Sequence, residues 1–132
     1  MSFNTVRRDI EKRLNDNWKI TRIAFDNVEF TQPAENETWV KLRIMEDSVN
    51  RKNIGMPGVH RHSGTIIIEI FTPQGIGTKL MREHAADIAE IFRDVQFNGI
   101  TCREARFVVA GEGDGWYKGR VAVQFFWDGV YS

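Results

Sequence analysis

Two hydrophobic patterns run through this chain, one with helical spacing and one with strand alternation. The densest stretch is residues 64–95, GTIIIEIFTPQGIGTKLMREHAADIAEIFRDV. Residues 65–71 form a β-branched and aromatic run with the length of one buried strand. Pro73, Gly75 and Gly77 then mark a tight connection, and Thr78 is expected to cap a helix by accepting from a first-turn amide. Beyond it Leu80, Met81, His84, Ala85, Ile88, Ile91, Phe92 and Val95 recur at steps of three and four, which makes one stripe on a helix. The pattern predicts a central strand with a helix laid across the sheet, and this unit is expected to hold most of the core.

The remaining elements follow the same logic. Val6, Ile10 and Leu14 set a helix over 4–16, extended by Phe3 and capped by Asn4 or Thr5. Residues 20–25 read as a short strand, 28–31 as a brief extended piece, and 32–37 as a polar loop around Pro33. From 39 to 46 the chain alternates, with Val40, Leu42 and Ile44 on one face and Lys41 and Arg43 on the other. Asn98-Gly99 marks a turn over 97–100, 101–110 reads as a strand, and 111–115 as a flexible glycine link. The last strand, 116–128, puts Val121, Val123, Phe125 and Trp127 on one face, and it pairs with 101–110 as a hairpin. The expected fold is α+β: a mostly antiparallel sheet of about four to five strands with two helices packed on it, in a single domain over 1–132.

Residues 47–63, DSVNRKNIGMPGVHRHS, fit neither pattern. The stretch is far longer than a usual hairpin connection and is read as a long mobile loop, an arm that becomes ordered against a partner. It carries Arg51, Lys52 and Arg61 beside His60 and His62, and its Ile54, Met56 and Val59 have no evident core to enter.

Charge narrows the function classes. The 18 basic and 18 acidic residues balance, which argues against a dedicated nucleic-acid binder. The distribution is uneven, however. Glu83, Asp87, Glu90 and Asp94 make an acidic line on the outer face of the second helix, and Arg7, Arg8, Lys12 and Arg13 enrich the outer side of the first. Both read as solvated faces or as docking strips for a surface of opposite charge. Cys102 is alone, which excludes an internal disulfide and suits a reducing, cytoplasmic setting. The polar start is unlike a signal peptide, and no apolar run reaches membrane-spanning length. Four Trp and nine Phe in 132 residues imply an aromatic core or rings awaiting a partner surface.

Candidate chemistry is sparse. The turn over 73–79 joins a strand to a helix, where phosphates often bind, but it lacks the spacing of either glycine-rich phosphate motif. Its glycines are needed for the turn in any case. His60 and His62 offer two imidazoles without further ligands at a telling spacing, and His84 lies on the apolar stripe. No catalytic arrangement, cofactor site or metal site is identifiable, so the chain reads as a protein without enzymatic activity.

Three stretches taken in order carry a family resemblance. They are RIAFDNVEFTQPAENETWVKLRI, then IEIFTPQGIGTKLMREHAADIAEIFRD, then GEGDGWYKGRVAVQFFWD. Together they span nearly the whole chain, which resembles the tail terminators of long-tailed bacteriophages, the lambda-type small tail proteins. The resemblance implies a structural virion protein of the tail, made in the bacterial host cytoplasm. It implies a homohexameric ring that caps the tail tube, stops its polymerisation and presents a surface to the head connector. The implied partners are copies of itself, the tail tube protein and the head–tail connector protein, with no membrane, and with DNA only passing through the ring. Arg7, Arg8, Lys12, Arg51, Lys52, Arg61, Glu83, Asp87, Glu90 and Asp94 are the candidate interface residues, and no catalytic residue carries over. Competing readings are another neck or tail-completion protein, a small phosphate-ligand-binding enzyme using 73–79, and nucleic-acid binding through Arg51, Lys52 and Arg61.

Overall fold

The structure is a computed structural model that describes residues 1–34 and 36–131. Glu35, within the expected 32–37 loop, and Ser132 lie outside the described residues. In chain order the elements are α1 (Phe3–Asn17), β1 (Arg22–Phe25), β2 (Trp39–Arg51), β3 (Gly58–Pro73), α2 (Lys79–Phe92), β4 (Gln96–Phe97), β5 (Ile100–Gly113) and β6 (Trp116–Tyr131). The strands form one six-stranded sheet in the order β1-β2-β3-β6-β5-β4, so the sheet exceeds the expected four to five strands. Only β1 and β2 run parallel, and every other neighbour is antiparallel. The expected short strand at 20–25 is β1, which pairs over four residues, and the addition is β4, folded back onto β5 by Asn98-Gly99. Both turn residues have positive φ, 47° and 81°, as a primed two-residue turn requires.

The apolar run at 65–71 lies in β3, which sits between β2 and β6 at the centre of the sheet. Its inward residues Ile66, Ile68 and Ile70 face Val40 and Leu42 of β2, Val121 and Val123 of β6, and the apolar stripes of both helices. Those stripes are Val6, Ile10 and Leu14 on α1, and Met81, Ala85, Ile88 and Phe92 on α2. Both helices therefore cover the same face of the sheet. At Gly119 the absent side chain lets α2 come close, for a Cβ there would stand 2.8 Å from Met81 Sδ. All four tryptophans are buried, together with Phe71, Phe92 and Phe125, while Phe3 is exposed. Trp39 stacks on Phe71 with ring centroids 4.0 Å apart and joins Trp116 and Ala24 in a small second cluster at one end of the sheet.

Several local expectations are corrected. The N-cap of α1 is Ser2, not Asn4 or Thr5. Ser2 Oγ accepts from the Thr5 amide at 3.1 Å while Thr5 Oγ1 accepts from the Ser2 amide at 2.9 Å, a reciprocal box. Phe3 does not extend the buried stripe and remains exposed. Thr78 precedes α2 but makes no side-chain cap bond, because its backbone is already in the right-handed region and not the extended one a capping side chain needs. The helix stops at Phe92, short of Val95, and Asp94 turns with φ of +50°. Residues 28–31 are not a strand. The expected flexible link at 111–115 is a two-residue hairpin turn, Asp114-Gly115, with φ of 55° and 85°.

The largest correction concerns 47–63. Its flanks are strand. After an irregularity between Glu46 and Ser48, the ladder resumes with Ser48 opposite Ser63 and continues to Arg51 opposite His60. The end of β6 joins as a third strand, with Asp128 opposite Arg61. The connecting segment shrinks to 52–57, and what was read as a loop is a hairpin arm. Backbone ladder bonds hold it, so it has no need of an apolar face.

Candidate functional site

Chemistry was conceivable at the 73–79 turn, at the cysteine and at the histidines. In the 73–79 turn, Gly75 and Gly77 have positive φ, and a Cβ on either would meet nothing within 4 Å. The turn bulges into open space and forms no cradle for a phosphate. Cys102 is buried, and desolvation pushes its thiol up to about 11, away from nucleophilic use. No three His, Cys, Asp or Glu side chains among the described residues converge as metal ligands. No helix among them is long and apolar enough to cross a membrane.

Two of the three histidines, His62 and His84, pack against aromatic rings. His62 stacks on Trp127 with centroids 4.0 Å apart and takes the edge of Phe3 at 5.3 Å. His84 is 7% exposed and meets Trp18 edge-on at 5.3 Å. Burial lowers its pKa below the ordinary histidine value, while the carboxylates of Asp87 and Glu83 pull the other way. A histidine depressed on folding binds its proton more readily in the unfolded chain. Its stabilising contribution is therefore full above about pH 6.5 and drains away as pH falls below that. Comparing urea midpoints at pH 7.5 and pH 5.5 should show a loss on acidification that is smaller in His84→Phe than in the parent. An equal loss in both would mean that His84 does not carry it.

The charged residues expected at an interface are placed as follows. On α1, Arg7 Nη1 lies 2.6 Å from Glu11, Lys12 Nζ lies 2.6 Å from Asp16, and Arg8 Nε lies 3.3 Å from Asp9. Much of that basic face thus answers to acids of its own helix. Arg61 makes a two-pronged bond to Asp128, at 2.9 and 3.0 Å, which holds the Asp128 carboxyl below the usual carboxylate range. Arg51 is turned onto backbone carbonyls of the arm tip, and Lys52 is exposed. On α2, Glu83, Asp87 and Glu90 are exposed along one line, with Lys79 3.8 Å from Glu83 and Arg93 bonded to Glu90. Asp94 lies beyond the helix end and leaves that line.

The sequence put Lys41 and Arg43 on the wet face of one strand but did not show that Arg106 and Arg120 join them. The face of the sheet away from the helices presents Lys41, Arg43, Arg106 and Arg120, as the register shows. Lys41 is opposite Glu69, which is opposite Arg120, and Arg43 is in the row of Ile67, Ala122 and Arg106. Glu69 bonds Arg43 at 3.1 Å. Lys41, Arg106 and Arg120 have no ion-pair partner among the described residues. The signal that would have brought them together is the polar half of the strand alternation, read across neighbouring strands.

Two concavities flank Phe3. A cleft of about 520 Å³ is lined by apolar Phe3, Val28, Leu42 and Ile44 and by polar Asn4, Arg7, Glu11, Asp26, Asn27 and Glu46. A notch of about 320 Å³ lies on the other side, against Val49, His62, Phe125 and Trp127. The notch is also lined by Glu46, Asp47, Ser48 and Ser63, beside the His62 ring that stacks on Trp127.

Among curated proteins nothing matches. A solved chain of 20% identity covers 100% of this chain, and 97% of that chain is covered, with a TM-score of 0.72, which shows a shared fold. The family model described as phage tail terminator protein matches residues 5–121. With that match running from α1 into β6, the chain belongs to the phage tail terminator family.

Proposed function

We propose that this protein closes the tail tube as a ring, most simply a homohexamer, halting tube growth and offering the surface on which the head connector docks. The family is one of structural proteins, and its members serve in completing the phage tail, as virion components. The match over residues 5–121 is the observation that carries the reading. Its partners on this reading are further copies of itself, the tail tube protein and the head–tail connector protein, with DNA passing through. Synthesis in the host cytoplasm fits the single reduced cysteine.

A closed ring needs two different complementary patches on each subunit, because its contacts run head-to-tail. The α2 acids and the cations of the open sheet face are two such patches, on opposite sides of the sheet. On this reading Glu83, Asp87 and Glu90 meet cationic groups of a neighbour or a tail partner. Asp87→Lys with Glu90→Lys should weaken assembly by roughly tenfold, more at low salt than at high salt. Sedimentation at two ionic strengths measures it, and unchanged assembly would reject these acids as interface groups.

The function itself is tested with purified tube protein. Added to polymerising tubes, the chain should bind one end and stop elongation. Tubes that lengthen unaffected would count against it. Joining heads without arresting tubes would move the protein to another place in the neck.

A further inference from the structure

The hairpin arm ends in apolar side chains with nothing of their own chain to cover them. Ile54 is 100% exposed and Met56 74%. They do not hang from a loose turn. Arg51 Nε donates to the Asn53 carbonyl at 2.6 Å, and Arg51 Nη2 donates to the Gly55 carbonyl at 2.8 Å. Asn53 Oδ1 accepts from the Val59 amide at 2.8 Å, and the Lys52 amide donates to the Val59 carbonyl at 2.7 Å. A tip bonded in this way holds two aliphatic side chains in solvent at a fixed place. Exposed apolar groups on a preorganised element mark a contact site, since little ordering entropy remains to oppose binding.

The cleft beside Phe3 is the matching receptor. Its walls are Phe3, Val28, Leu42 and Ile44, and its volume is about 520 Å³. Apolar cavities of only ~150 Å³ already accept a benzene ring, so this one has room for two aliphatic side chains. At its rim Asp26 and Glu46 are exposed and have no ion-pair partner among the described residues, and the tip carries Lys52 beside its apolar pair. Apolar lining meets apolar tip; Arg7 also lines the cleft but is paired with Glu11, so Asp26 and Glu46 remain to meet the basic flank.

A chain does not fill its own cleft. Glu46 stands opposite Gly64 at the base of the arm and also lines the cleft. From that row to the tip the arm runs about six residues, or ~20 Å at about 3.3 Å per residue. The ladder that holds the arm straight keeps the tip away from the cleft at its root.

We infer that the arm tip of one copy, Ile54 and Met56 with Lys52, seats in the cleft at Phe3, Val28 and Ile44 of the next copy, and that this joint links subunits in the ring. The inference rests on the ring reading above and names the joint within it. Tip and cleft are different surfaces, so the contact is head-to-tail and repeats around a closed ring.

Two variants of the full chain test it. Ile54→Asp with Met56→Asp changes only solvent-facing side chains and should fold as the parent, while weakening self-association at least tenfold in sedimentation. Val28→Cys with Ile54→Cys places thiols on two exposed positions, and Cys102 is buried. Oxidation of the assembled protein with diamide should give a covalent ladder of subunits, and each single-cysteine chain should give nothing beyond dimers. The inference is overturned if the double-aspartate chain assembles like the parent, or if the double-cysteine chain assembles without cross-linking. A parent that caps tubes alongside an indifferent double-aspartate chain overturns this joint alone. A parent that stays monomeric even beside finished tubes overturns the ring reading with it.

Discussion

Replacing Gly64 with valine is expected to destabilise the protein severely, although strand propensity alone predicts the opposite. Glycine is a poor strand residue and valine a good one, so a surface strand would gain from the change. Gly64 sits in the middle of β3, where a Cβ would lie 2.5 Å from the Met45 carbonyl oxygen and 2.8 Å from two ring atoms of Phe125. The first contact is to backbone, next to the ladder irregularity between Glu46 and Ser48, and the second is to a buried ring directly across from it in β6. Neither neighbour moves without breaking ladder bonds or core packing. Alanine should already cost about 1–3 kcal/mol as an overpacked position, and valine more. Gly55→Ala is the control, since a Cβ there meets nothing within 4 Å and should leave stability near the parent value. Urea unfolding of the three variants decides the point. A Gly64→Val chain as stable as the parent would show that β3 and β6 do not pack as described.

Truncating Phe92 to alanine is expected to cost about 3–5 kcal/mol, comparable to the low end of a domain's whole stability. Phe92 is 0% exposed at the last turn of α2, within the same apolar cluster as Val6, Ile68 and Val121. It ties the helix layer to the sheet just before the chain leaves α2 for β4, and its ring lies 6.4 Å from that of Phe97. A cavity there is closed in by helix and strand backbone, so collapse around it is limited. Thermal or denaturant unfolding measures the loss. A loss below 1 kcal/mol would mean that α2 is not anchored through this ring.

The parts legible in the sequence were those where one face is dry. The α1 stripe of Val6, Ile10 and Leu14 and the α2 stripe each recur with a helical period, and the β3 run at 65–71 stands out as a mostly buried stretch. The arm was not legible, because its paired flanks hold a single aliphatic residue, Val49, too few to set an alternation. Ser48 to Arg51 and His60 to Ser63 pair through backbone ladders, which leave no hydrophobic signature. The turn at 114–115 was misread as a link because Gly111 and Gly113, which look like loosening, lie inside β5. Candidate interface charges were partly legible. Sequence shows that Glu83, Asp87 and Glu90 share a helix face, but not that Arg7 and Lys12 find acids one turn on, or that Arg61 is taken by Asp128. The cleft gave no signal at all. Phe3, Val28, Leu42 and Glu46 come from four separate segments, and only the fold brings them together.

Three exposed features bear on the proposed role: an apolar, basic-flanked arm tip, a cleft lined by Asp26 and Glu46, unpaired among the described residues, and an acidic helix line. On the reading proposed above, the protein acts by fitting against other virion subunits. The most direct measurement is the length distribution of tails, by electron microscopy, from infections with and without this chain. The account predicts tubes of uniform length when it is present, and overlong, headless tubes when it is absent. Tails of unchanged length that still carry heads, formed without it, would contradict the account.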